Sequence, residues 1–291
     1  MSCYVHGDNL EQKENHQTKY LDEESKRFLN DIRTQYEIWK TGNESLKGPY
    51  KNKANTDFSI IQRRVNLFNV YKDFLDQQKY AEKFDSRSNL HSSALEEFIY
   101  YLFKDLVYDF SQYALIGKSH AFKDLFFRSE NFQDMITNPN ILVEKKDHDF
   151  VIGATINADF NCHGMENHAL ECFEIPAIAI ECKTYLDKTM LEGSSTAGEQ
   201  LKSKNPNALY IVVAERLKLT EAVNLKKYKV DQIYILRKQK NTDREFRYAP
   251  DYISNPIYED VVWHLYETVR NYLLTDWHGM IADGIERGYL I

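Results

Sequence analysis

Two ionisable residues sit where a sequence of this kind should be wholly apolar. In Ile178-Ala-Ile-Glu-Cys-Lys-Thr184 an apolar run from Ala177 to Ile180 follows Pro176 and shows no helical periodicity, which predicts a buried β-strand. Glu181 and Lys183 are set into it. Strand side chains alternate, so these two share one face while Ile180 and Cys182 enter the opposite layer. Burying a charge is costly unless something compensates for it. A divalent metal ion would do so, with a carboxylate to hold the ion and a lysine to steer a water or a phosphate. A plain buried ion pair contributes little net stability and is the weaker reason to keep both charges there.

The triplet Glu-x-Lys is not informative by itself, because it also begins at Glu11, Glu24 and Glu144. Only Glu181 lies within an apolar strand that follows a strand opening on an aspartate. That earlier strand is Asp149-Phe-Val-Ile-Gly-Ala-Thr-Ile156. Asp149 is preferred as the partner of Glu181 because it directly opens the strand; Asp147 and Asp159 are the alternatives. Upstream, Ser93 to Val107 forms an amphipathic helix with Leu95, Ile99, Leu102 and Leu106 as its stripe. Glu96 lies at the edge of that stripe, and Glu97 lies on the opposite side. Ser93 with Glu96 also fits a capping box, so Glu96 is read equally as a helix cap and as a metal helper. Gln200, on a later helix, is a further residue within possible reach of the site.

Asp149 … Glu181-Cys182-Lys183, with the helical glutamate upstream and helix–strand units after it, resembles the PD-(D/E)XK nuclease superfamily, and within it the type II restriction endonucleases. The resemblance covers about residues 90 to 240. The run from Ala179 to Gly193 is similar to restriction enzymes that cut an asymmetric site with two different subunits. One departure is that no proline precedes the aspartate, where the sequence is Asp147-His-Asp149. The resemblance implies a Mg²⁺-dependent, sequence-specific endonuclease for double-stranded DNA, leaving 5′-phosphates. It implies Asp149, Glu181 and Lys183 as catalytic residues, with Asp149, Glu181, the carbonyl of Cys182 and Glu96 as metal ligands. It also implies a dimer, either with itself or with a related nuclease subunit. A repair or recombination nuclease of the same fold, and a non-catalytic DNA-binding protein, are the alternatives.

The elements that must position these residues follow from periodicity. Helices are predicted over Tyr20–Trp39, closed by Gly42 and then a turn at Lys47-Gly-Pro-Tyr50, and over Ser59–Tyr80. Asp85 to Asn89 is a polar break. Residues 111–140 give no pattern beyond the apolar run Leu125-Phe-Phe127. Strands are expected at Ile141-Leu-Val143, at Asp149–Ile156, through the key stretch, at Leu209–Ala214 and at Gln232–Leu236. Turn-rich sequence from Asn157 to Asn167 closes a hairpin. Helical segments are expected by Glu199–Lys202, near Leu219–Leu225 and over Ile257–Leu274. Strand, crossover helix and strand in succession indicate a partly parallel sheet covered on both faces. The fold class is thus α/β, a restriction-endonuclease-like α/β/α sandwich with a mixed central sheet. A helical region over residues 1–85, for dimerisation or DNA contact, precedes the nuclease core with its C-terminal helix over 86–291.

Composition agrees. The chain has 291 residues, 43% hydrophobic and 28% charged, with 11 Gly and 6 Pro, enough for a helix-rich core. The net charge of -7 argues against a sequence-blind coat for DNA or membranes. From Glu199 to Arg247, however, basic residues outnumber acidic ones, which reads as a local polyanion footprint or as ordinary surface. Cys3, Cys162, Cys172 and Cys182 make no CxxC pair, which suggests a reducing compartment. Cys162, His163, His168 and Cys172 lack the paired spacing of a zinc site. The first residues show no secretory pattern and no apolar run reaches membrane-spanning length, so a cytoplasmic, membrane-free protein is expected.

Overall fold

The amphipathic periodicity of the first third of the chain produces α1 (Val5–Glu14), α2 (Glu23–Ser45), α3 (Asp57–Leu75), α4 (Gln78–Lys83) and α5 (Leu90–Phe110). They are seen here in a computed structural model, which describes residues 3–84, 89–242, 244–277 and 285–288. The Asp22 side chain accepts the Ser25 N–H and caps α2. The helix runs through Gly42 and stops at Ser45, before the segment Lys47-Gly-Pro-Tyr50 expected to close it. A Cβ at Gly42 would stand 3.0 Å from Leu67 Cδ2, so the glycine serves close packing of α2 on α3. The single helix expected over Ser59–Tyr80 is divided between α3 and α4. Of the polar break at Asp85 to Asn89, all but Asn89 lies outside the described residues.

Among the described residues five strands form one sheet in the order β1-β2-β3-β4-β5. They are β1 (Leu115–Phe127), β2 (Ile141–Asn161), β3 (His168–Leu186), β4 (Leu209–Leu217) and β5 (Gln232–Ile235), with α6 (Phe132–Thr137) between β1 and β2 and α7 (Lys188–Lys204) between β3 and β4. The first three strands pair antiparallel, while β3–β4 and β4–β5 are parallel. Strand β1 lies where no regular element was expected, because two register shifts break its alternation. The two strands expected between 141 and 156 are one, and β3 continues through Pro176, which sits at a register shift opposite Gly153. A proline is tolerated in a strand at such an irregularity. No helix forms over Leu219–Leu225; turns and one 3₁₀ turn at Leu225–Lys227 connect β4 to β5. The chain continues through α8 (Arg244–Arg247) to α9 (Glu259–Leu274).

Two cores flank the sheet. On one side Ile178, Ile180, Cys182, Ile211 and Val213 pack in a cluster with residues of α2, α3, α5 and α9. Phe68 stacks on Phe98 at 4.3 Å and Phe103 on Tyr266 at 5.9 Å. On the other side Val151, Ala179, Tyr210, Val212 and Ala214 meet Leu191, Ala197 and Leu201 of α7. Gly198 lets α7 approach that closely, since a Cβ there would lie 2.6 Å from the Lys229 carbonyl and 3.1 Å from the Tyr210 ring. The result is an α/β/α sandwich with a helical N-terminal region packed onto it. No helix among the described residues is long and apolar enough to cross a membrane.

Candidate active site

The alternation of β3 places its residues as the apolar pattern requires. Ile180 and Cys182 lie in the α5-side core and Ala179 in the α7-side core. Glu181 and Lys183 therefore occupy the α7 face. Each is held at a strand rim, with side chains 20% and 25% exposed. Tyr210 of β4, in the same layer, donates its hydroxyl to Glu181 Oε2 at 3.3 Å.

Asp149 reaches them because β2 is irregular at that point. From Val151 to His148, β2 advances three residues while β1 advances two, from Gly117 to Ser119. This is a β-bulge, which bends a strand and re-aims its side chains. The β2–β3 ladder has its last pair on this side at Phe150–Ile180. Beyond it the Asp149 carboxylate takes over, accepting the Cys182 N–H at Oδ2, 2.9 Å away. Asp149 thus sits mid-strand at a bulge, not at the start of a strand. Lys183 Nζ closes the group, 3.0 Å from Asp149 Oδ2 and 3.0 Å from Glu181 Oε1.

Glu96 faces the same cluster from α5. It does not belong to a capping box: Asn89 is the N-cap residue, at φ 56°, and Ser93 lies inside the helix with its Oγ donating to the Leu90 carbonyl. Glu96 is 6% exposed, and the nearest cation, Lys118 Nζ, stands 3.5 Å from its Oε2. Burial first, and then the charge of Asp149, push its carboxyl up to about 7. Glu181 is raised for the same two reasons. Burial alone would lower the Lys183 ammonium, but Asp149 and Glu181 outweigh it, so Lys183 is held firmly charged. The Cys182 thiol is raised well above its ordinary value by burial and by the neighbouring carboxylates, which makes it a core residue and a poor nucleophile.

The other sequence candidates lie elsewhere. Asp147 is exposed and pairs with His120. Asp159 pairs with His168 at 2.9 Å, towards the tip of the β2–β3 hairpin. Cys162 touches the Met135 carbonyl and Cys172 is exposed. Gln200 borders a separate cleft with Lys123, Lys145 and Lys146. Among the described residues no three His, Cys, Asp or Glu converge as a ready metal cluster, the Lys183 ammonium bridging the two strand carboxylates. The donor set nevertheless suits a hard cation, which takes oxygen ligands. Asp149 and Glu181 converge from adjacent strands on one positive centre. A divalent ion would also offset the burial and the Asp149 charge that raise Glu96 and Glu181.

Three neighbours were not found by sequence reasoning. Tyr210 is a tyrosine in a buried strand, and a buried hydroxyl needs a partner; its register against Glu181 could not be read. Lys118 lies on the unforeseen β1. His148, whose ring packs 6.0 Å from Tyr210, was assigned no role, and the bulge turns it to this face. Burial and then Lys146 bring its imidazole down to about 4, so it is neutral near pH 7.

A mixed sheet between helical layers, with this charged rim, defines the restriction-endonuclease class of fold. The chain belongs to the Bpu10I restriction endonuclease family, whose sequence model matches residues 87–290. The native A2B2 tetramer of BbvCI contains a chain of similar fold, with a TM-score of 0.69 and 19% identity, covering 94% of this chain and 96% of that one. No curated protein matches the sequence.

Proposed function

We propose that the protein is a Mg²⁺-dependent type II endonuclease of the PD-(D/E)XK kind, which cleaves double-stranded DNA at a specific sequence within a restriction system and leaves 5′-phosphates. The observation that carries this is the convergence of Asp149, Glu181 and Lys183 within 3.0 Å contacts at a sheet rim, in a chain of a restriction endonuclease family. Asp149 and Glu181 would hold the ion, with the main-chain carbonyl of Cys182 as a further oxygen donor and Glu96 serving a second ion or a water. The bound ion supplies positive charge at the scissile phosphate and lowers the pKa of a water. Lys183, charged and aimed between the carboxylates, orients the attacking water and stabilises negative charge as it develops. Tyr210 fixes the rotamer of Glu181. Residue types that give oxygen ligands and a permanent ammonium fit phosphodiester hydrolysis better than acyl transfer, since the buried Cys182 thiol lies in the opposite layer.

Cutting both strands calls for two active sites. The BbvCI assembly, a tetramer of two kinds of chain by its description, supports pairing with a related nuclease subunit; a homodimer is the alternative. The helices of residues 1–85 would serve subunit or DNA contact, in the cytoplasm where a restriction enzyme meets its substrate. The test is digestion of intact phage and plasmid DNA with Mg²⁺, followed by sequencing of the ends. Discrete fragments with a common sequence and 5′-phosphates are expected. Smears or flap products would turn the reading to repair, and binding without cleavage would turn it to a non-catalytic role.

A further inference from the structure

A cavity of about 330 Å³ lies at the carboxyl ends of β3 and β4. It adjoins the candidate active site on two elements: Thr184 and Tyr185 follow Lys183, and Ser92 lies one helical turn before Glu96 on α5. Lys72, Arg216 and Arg247 line it with positive charge and Asp76 and Glu215 with negative, and His91 meets Asp76 at 3.1 Å. Ligands of sheets with parallel strands gather at such carboxyl ends.

The floor of the cavity is electrically balanced. Lys72 Nζ is 3.0 Å from Glu215 Oε1 and 3.0 Å from Asp76 Oδ1. Arg237 is 3.0 Å from Glu215 and 3.5 Å from Asp76. Two carboxylates are therefore met by two cations. Arg216 and Arg247 are in surplus. Arg216, 5% exposed, donates Nη2 to Ser254 Oγ at 2.8 Å, while its Nη1 is 3.9 Å from Glu215. Arg247 donates Nη2 to the neutral Asn241 Oδ1 at 2.8 Å, and no carboxylate of the described residues pairs with it. The Nε atoms of both arginines are buried without a hydrogen-bond partner. Buried donors are ordinarily satisfied, so two guanidinium Nε–H groups at one polar cavity indicate an acceptor that is not part of the chain.

We propose that the cavity receives a phosphodiester of the bound DNA, on the strand being cut and next to the scissile position, with Arg216 and Arg247 as its donors. Guanidinium forks match phosphate oxygens in geometry and charge. This positioning role rests on the nuclease reading above. It is tested by measuring the affinity of the purified protein for a mixed-sequence duplex of about 30 base pairs between roughly 50 and 200 mM salt, with Ca²⁺ replacing Mg²⁺ to hold cleavage back. Arg247→Gln should make the slope of log K against log salt shallower by about one, the mark of one lost phosphate contact. Arg247→Lys should keep the slope, which also shows that the position tolerates change. Equal slopes for Arg247→Gln and the wild type, with the wild type still cutting, would overturn the cavity assignment alone. A wild type that binds no duplex would overturn the nuclease reading and this inference with it.

Discussion

Glu96 and Glu97 are adjacent on α5, both buried, and both have carboxyls pushed up to about 7, burial being the main cause in each. Their surroundings differ in kind. Glu97 accepts the His6 and Gly7 N–H groups at 2.9 and 3.1 Å and the Tyr36 and Tyr101 hydroxyls at 3.0 and 2.9 Å. It receives the first turn of α1 inside a closed aromatic core. Glu96 has one distant lysine and the like charge of Asp149. One carboxylate has every lone pair answered and so secures the docking of the N-terminal helices. The other is left short of partners at a rim, where an added cation would complete it. Equal displacement from the ordinary carboxylate range thus marks two different tasks, and the partners distinguish them.

The sharpest way to break that contrast is at the strand carboxylate and lysine. Glu181→Ala and Lys183→Ala are each expected to lower the cleavage rate about 1000-fold or more, in single-turnover assays on plasmid, with DNA binding retained. Substantial cutting by either variant would count against the assignment of that residue to the chemistry. Next in size is Glu97→Ala, which leaves four buried donors unanswered. It should cost about 3 kcal/mol and lower the melting temperature by roughly 6 °C or more, while the folded fraction still cleaves. Glu96→Gln should do the reverse, slowing cleavage roughly 10- to 100-fold, as loss of a metal-supporting residue does, without lowering the melting temperature. A thermal loss like that of Glu97→Ala would make Glu96 structural.

The smallest effects concern pH and metal. A carboxyl raised on folding favours the protonated native state, so its contribution to stability is present below the unfolded value, 4.5, and is lost as pH rises through about 7. Without divalent ions the melting temperature should therefore decline over that window. Mg²⁺ should raise it at pH 8 and have little effect at pH 5.5, where Glu96 is protonated, and cleavage should fall away below about pH 7. Calorimetry with and without chelator checks both; a metal-induced shift equal at the two pH values would separate Glu96 from the ion.

Glu181 and Lys183 were legible because a strand's two-residue period is simple and charges inside apolar runs are rare. The layers on either side of β3 followed from the same alternation. Asp149 was found by residue type, but its route to Glu181 was not, since a bulge leaves no sequence mark at His148 or Phe150. Strand β1 was hidden for the same reason, its alternation broken at Gly117–Ser119 and Phe122–Asp124. Gly42 misled because composition cannot tell a helix stop from a close crossing. The capping reading of Glu96 failed because Ser93 is occupied within the helix, its Oγ 2.8 Å from His6 Nδ1, and that partner lies 87 residues away in sequence. Short-range periodicity survives in the fold; contacts made across the chain do not appear in it.

The flank of α5 that stacks Phe98 on Phe68, sets Tyr101 against Trp39 and brings Asp105 to the buried Arg64 has a consequence for anyone dividing this molecule. A fragment trimmed to the residues shared with the family would keep the sheet and its carboxylates yet bare an aromatic wall along its principal helix. Such a piece should clump in solution instead of working as a portable cutter, so the leading helices must travel with the blade.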